Sequence, residues 1–142
     1  MVTVVIAHSF PIVRRGLRTV LEESREIMVV GEAANNLQAL EMIERTRATV
    51  LLIDTRVTGP DGPGIAKRAK LRAPGTKVLT ITDCADQTSI WSALQNGADG
   101  CIRDDEVPSK LIEAVNKVIG RDQRVTVRAE RLMDMPQAVA VG

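Results

Sequence analysis

Aromatic residues are nearly absent from this chain: its 142 residues include Phe10, Trp91 and no tyrosine. A core must therefore be built from Val, Ile, Leu, Ala and Met. Cysteine is also scarce. Cys84 and Cys101 are too few for a disulfide framework or a zinc cluster, and two reduced thiols are expected. Histidine occurs once, as His8. Charge of one sign is not in excess. The formal net charge is +1 and the pI about 7.8, so neither a basic nucleic-acid stripe nor an acidic tail is visible. No apolar run approaches the ~20 residues of a membrane span. The N-terminus enters a strand-like run at once, so no signal peptide and a cytoplasmic location are expected.

What is present is ordinary for a globular domain: 44% hydrophobic and 26% charged residues. Residues 1–120 read as one domain. Apolar runs of strand length fall at residues 3–7, 27–31, 50–53, 77–82 and 100–103. Their continuous hydrophobicity predicts strands covered on both faces, as in parallel sheets. Helical spacing fills the gaps. Ile12, Val13, Gly16, Leu17, Val20 and Leu21 are assigned to one face of a helix beginning at Pro11. Leu37, Leu40 and Ile43 follow the potential caps Asn35 and Asn36. Ile65, Ala66 and Ala69 mark a third helix starting near Pro63. Ile90, Ala93 and Leu94 mark a fourth, ending at Gly97. Leu111, Ile112, Val115 and Val118 mark a fifth, from about Pro108 to Gly120. Alternating strand and helix predicts an α/β doubly wound sheet. Residues 121–142 lack a core pattern and read as a linker or tail, with a short helix conceivable over 128–135.

In such a sheet, ligands gather at the carboxyl ends of the strands. Those ends carry His8 and Ser9, Asp54, Thr82 and Asp83, and Arg103 and Asp104. Asp54 closes the run Val50-Leu51-Leu52-Ile53 and is followed by Thr55-Arg56 and the turn Gly59-Pro60-Asp61-Gly62. Several enzyme classes are disfavoured. The loop Ala7-His8-Ser9-Phe10-Pro11 is a poor cradle for a flavin phosphate, and G-x-G-x-x-G is missing from it. An aspartyl phosphatase of the dehalogenase type would place a second Asp where Arg56 stands. The domain is therefore not expected to be an enzyme.

Several runs carry a resemblance in their order and spacing. They are Pro11-Ile12-Val13-Arg14-Arg15-Gly16-Leu17, Val29-Val30-Gly31-Glu32-Ala33, Leu51-Leu52-Ile53-Asp54, Ala73-Pro74-Gly75-Thr76-Lys77-Val78-Leu79 and Gly97-Ala98-Asp99-Gly100. Over residues 2 to about 120 the chain resembles a response-regulator receiver domain. It is most like the NarL/FixJ subfamily, whose members usually carry a LuxR-type helix-turn-helix. The resemblance implies a CheY-like, flavodoxin-like sheet of order 2-1-3-4-5 with five flanking helices. It also implies a mechanism. An aspartate ending strand three accepts a phosphoryl group, and two acids after strand one help to hold Mg2+. A Thr or Ser ending strand four and a Lys after strand five contact the phosphoryl oxygens. An aromatic on strand five swings with the Thr.

Carried over, Asp54 takes the phosphoacceptor position and Thr82 the switch position. His8 and Ser9 stand at the acid-pair positions, Asp104 at the lysine position and Cys101 at the aromatic switch position. Two of six parts are retained. Mg2+ wants about six oxygen ligands and usually one or two carboxylates. A carboxylate in place of the lysine opposes an incoming anion by about 4 kcal/mol at ~4 Å and an effective dielectric near 20. Poor or absent phosphorylation and weak or absent Mg2+ binding are therefore expected, with no other cofactor.

The remaining residues have two readings each. Thr82 is a switch hydroxyl or bonds the following loop. His8 pairs with Asp54 or Asp104, which would raise its proton affinity, or is a partly buried histidine bonded to backbone, which is preferred. A metal cluster of Asp54, Asp83 and Asp104 is not expected, because nothing in the sequence makes them converge. Trp91 marks an interface or is partly buried against the fifth helix. Arg14, Arg15 and Arg18 read as a solvated face. The implied partners are a sensor histidine kinase and a second receiver, as homodimer or heterodimer, through the fourth helix, fifth strand and fifth helix. DNA would be reached only through a domain outside this chain, as in a transcription regulator. The alternative is a standalone receiver-like scaffold or a small-ligand module on the same fold.

Overall fold

The computed structural model describes residues 1–54, 56, 64–83 and 97–120. Five parallel strands form one sheet in the order β2-β1-β3-β4-β5. They are β1 (Val2–Ala7), β2 (Ile27–Ala33), β3 (Val50–Asp54), β4 (Lys77–Thr82) and β5 (Gly100–Arg103). The described helices are α1 (Pro11–Leu21), α2 (Asn36–Thr46), α3 (Ile65–Arg72) and α4 (Val107–Val118), with a 3-10 turn at Asp104–Glu106. The strands follow the expected runs, with β1 beginning one residue earlier, β2 two residues longer and β3 extended to include Asp54 itself. The helix expected around residues 90–94, together with Cys84, Trp91 and the segment after Gly120, lies outside the described residues.

Alternation along each strand divides the core into two layers. Val5, Ala7, Leu51 and Ile53 face α2 and α3, where Leu40, Ile43, Ala66 and Ala69 meet them. Val4, Ile6, Val50 and Leu52 face α1 and α4, where Leu17, Leu21, Leu111 and Val115 meet them. Both layers are aliphatic, so the sheet is covered on both faces as its sequence predicts.

Helix ends follow local chemistry. Pro11 stands in the first turn of α1, where its missing N–H costs nothing. Asn35 caps α2 by accepting from the Gln38 N–H at 2.9 Å. Two facial assignments need correction. Ile12 is 77% exposed and Leu37 48% exposed. Ile12, Gly16 and Thr19 form one outward row of α1, while Val13, Leu17 and Leu21 form the inward row. On α2, Leu37 shares its row with Glu41 and Glu44; the inward row is Asn36, Leu40 and Ile43. Arg14 and Arg18 are not a solvated face either. Both reach Glu32 on β2, at 3.1 and 3.0 Å.

Candidate functional site

The carboxyl ends of the strands bring Asp54 and His8 together. Asp54 continues the parity of Val50 and Leu52, and His8 that of Val4 and Ile6, so both leave the sheet toward the same side. The Asp54 side chain is 2% exposed, and its Oδ2 lies 3.6 Å from His8 Nε2. His8 Nδ1 accepts the Phe10 N–H at 3.0 Å. A neutral imidazole whose Nδ1 accepts must carry its proton on Nε2, the nitrogen facing Asp54. The backbone of His8 is fixed as well: its N–H donates to the Ala33 carbonyl at 3.0 Å, and its carbonyl accepts from Arg14 Nη1 at 2.7 Å. His8 is therefore bonded to backbone and also faces Asp54.

Arg56 dominates the site. Its backbone N–H donates to Asp54 Oδ1 at 2.8 Å, an Asx-type turn two residues on. Its Nε donates to the same oxygen at 2.9 Å, and its Nη2 to Oδ2 at 2.8 Å. This is the two-pronged geometry that a planar guanidinium makes with a carboxylate. Nη2 also lies 3.5 Å from Asp104 Oδ2, just past β5. Hydrogen bonding to Asp54 raises the proton affinity of Arg56 above its ordinary value, against the opposing effect of burial. The negative charges of Asp54, Asp104 and Asp83 add to the rise. The three strand-end carboxylates thus do act on one point, but that point is a guanidinium. Among the described residues, no group of three or more His, Cys, Asp or Glu is arranged to hold a metal ion.

The other candidates make contacts of their own. The Thr82 hydroxyl is fully buried and donates to the Ile102 carbonyl on β5 at 3.4 Å. Burial, with the Glu106 charge adding, pushes the Cys101 thiol up to about 11, so it stays protonated at neutral pH. Ser9 is exposed.

Residues 4–116 match the response regulator receiver domain family. The chain belongs to that family. YhcZ, a transcriptional regulatory protein of Bacillus subtilis, is 36% identical over 110 residues, covering 78% of this chain and 51% of that protein. The transcriptional regulatory protein NarL of Mycobacterium tuberculosis is 33% identical over 114 residues, covering 80% of this chain and 53% of the relative. The solved signal receiver domain of the M. tuberculosis NarL superimposes with a TM-score of 0.77 at 33% identity, covering 84% of this chain and 98% of that one. The chain spans about half the length of the curated relatives it matches. It is a receiver domain of the NarL/LuxR type.

In this receiver, the residues present do not fit a divalent ion. The resemblance puts two acids where His8 and Ser9 stand, and His8 offers a donor, not a ligand, to Asp54. Arg56 holds both oxygens of Asp54. The Arg56 side chain is the part that sequence reasoning missed. A cation two residues after a strand-end carboxylate was the available signal.

The expected pull of Asp54 on His8 is also corrected. Burial dominates and lowers the His8 pKa below 6.5; Asp54 opposes this, while Arg56 and Arg14 reinforce it. The unfolded chain then binds a proton that the folded chain resists. The stability linked to His8 is fully present above pH 6.5 and is lost as pH falls through the lower folded value. Thermal midpoints should therefore drop as pH falls below about 6.5. His8→Gln should flatten that slope. Equal slopes for the two proteins would show that His8 is not the group responsible.

Proposed function

We propose that this receiver domain signals by protein contact, without phosphoryl transfer to Asp54 and without tight Mg2+ binding. One observation carries the reading. A carboxylate has about four lone-pair sites. Three at Asp54 accept from Arg56, and the remaining side of Oδ2 faces the His8 Nε2 proton. Three of the four are engaged, which leaves Asp54 little capacity to attack phosphorus or to bind a cation. The family's acceptor, Asp54, is kept, and so is the switch hydroxyl of Thr82, but Asp104 and Cys101 replace the lysine and the aromatic. Phosphoryl transfer relies on positioning and charge neutralisation, and Asp104 adds charge of the wrong sign.

The domain is not an enzyme on this reading. Its partners are a sensor histidine kinase or another receiver, including a second copy, engaged through β5 and α4, with Trp91 a further candidate contact residue. Two relatives are transcriptional regulatory proteins of about twice the matched length. That supports a place as the receiver part of a DNA-binding regulator, with DNA contacted by a separate domain. No described helix is long and apolar enough to cross a membrane, in keeping with work in the cytoplasm.

The test is the amide spectrum of the chain with beryllofluoride and Mg2+, which together mimic a phosphoryl group. Resonances of Thr82, Cys101 and Asp104 should not move. Saturable shifts at these positions would show a functioning phosphoryl switch.

A further inference from the structure

Arg56 is half exposed, with 53% of its side chain open to solvent, yet it covers an Asp54 carboxylate that is 2% exposed. Its guanidinium meets Asp54 at the tip of β3 and Asp104 beyond β5, and feels Asp83 beyond β4. A neutral His8 stands on the remaining side. A buried carboxylate needs a counter-charge and full hydrogen bonding, and a planar fork meets both needs where a point charge would not.

We propose that Arg56 is the resident cation of this site. Its side chain supplies the positive charge facing Asp54, closes Asp54 to solvent, and ties the tip of β3 to the exit of β5. The proposal rests on the phosphorylation-independent reading and goes further by naming the group that closes the site. Arg56 thereby determines what Asp54 can bind. Mg2+ and phosphodonors are excluded because an internal ligand of higher effective concentration is already there. The link to Asp104 also holds the start of the Asp104–Glu106 turn in one arrangement, so the β5 exit does not depend on a bound anion for its order.

The experiment is a proton–nitrogen spectrum of the arginine Nε–H groups of the full chain at neutral pH. The Arg56 Nε–H is expected as a shifted, slowly exchanging signal, assigned by its loss in Arg56→Met. Asp54→Asn should move it toward the position of a free arginine, and Asp104→Asn should shift it less. Millimolar Mg2+ should leave it in place. A wild-type Arg56 signal already at the free position, or its saturable displacement by Mg2+, would overturn the proposal. Thermal midpoints give an independent check. Arg56→Met should melt several degrees lower, and Arg56→Lys should recover only part of the loss because it cannot bridge both oxygens. A Lys variant as stable as wild type, or a Met variant with no loss, would count against the fork; if the Met variant does not fold, the assignment is made with Arg56→Lys and the wild-type signal still decides. Stoichiometric labelling of Asp54 would sink the functional reading while leaving a protected Nε–H in the unmodified protein. A free Nε–H would sink this inference even if Asp54 stays unlabelled.

Discussion

Leu52→Ala should lower stability by about 2–5 kcal/mol, moving the urea midpoint down by roughly 1–3 M. Leu52 is fully buried in β3, the central strand, and belongs to the layer that joins β1, β3 and β4 to α1 and α4. Truncation removes its transfer free energy and leaves a cavity that strands fixed on both sides cannot close. With so few aromatics in the chain, no large flexible ring stands ready to fill it. Because domains of this kind hold only about 5–15 kcal/mol in total, the loss is a large share. Leu71→Ala is the control. Leu71 is 76% exposed on α3, so its truncation should stay within about 0.5 kcal/mol. Similar costs for the two substitutions would mean that the two-layer core is misplaced.

The second large effect is a gain of phosphoryl acceptance, and it should require several changes at once. Asp104→Lys alone is expected to leave Asp54 unlabelled. It supplies a cation for phosphoryl oxygens, but His8 and Ser9 still bring no carboxylate for Mg2+, which needs close to six oxygens in octahedral geometry. It also leaves Arg56 on both oxygens of Asp54. Combining Asp104→Lys with His8→Asp, Ser9→Asp and Arg56→Ala restores the acids and the lysine and frees the nucleophile. Labelling by a small-molecule phosphodonor with Mg2+ should rise from none to a majority of the protein. Robust labelling of Asp104→Lys alone would show that one lysine was the whole defect. A folded fourfold variant that stays unlabelled would show that the missing parts have been misidentified.

The fold was legible because strand and helix here have clean periods. Runs such as Val50-Leu51-Leu52-Ile53 are apolar on both parities, which only a doubly covered strand tolerates. The resemblance supplied the strand order, and the structure has it. Helix faces were less legible. Ile12 and Leu37 are apolar residues on outward rows near helix starts, while the polar Asn36 is fully buried. Hydropathy alone misplaces such residues.

At the site, the positions of Asp54 and His8 could be read from strand ends. Two features were harder to read. The sign of the His8 shift depends on burial outweighing a neighbouring carboxylate, a balance that no spacing reveals. The role of Arg56 depends on a local turn folding a side chain back onto the residue two before it. Comparing family positions draws the eye to replaced residues and passes over one whose side chain the family mechanism does not use.

The decisive measurement is the intact mass of the unaltered chain after incubation with a small-molecule phosphodonor and Mg2+, set beside Asp54→Asn. The account expects both masses to stay unchanged. A stoichiometric gain of one phosphoryl group in the unaltered chain alone would contradict it.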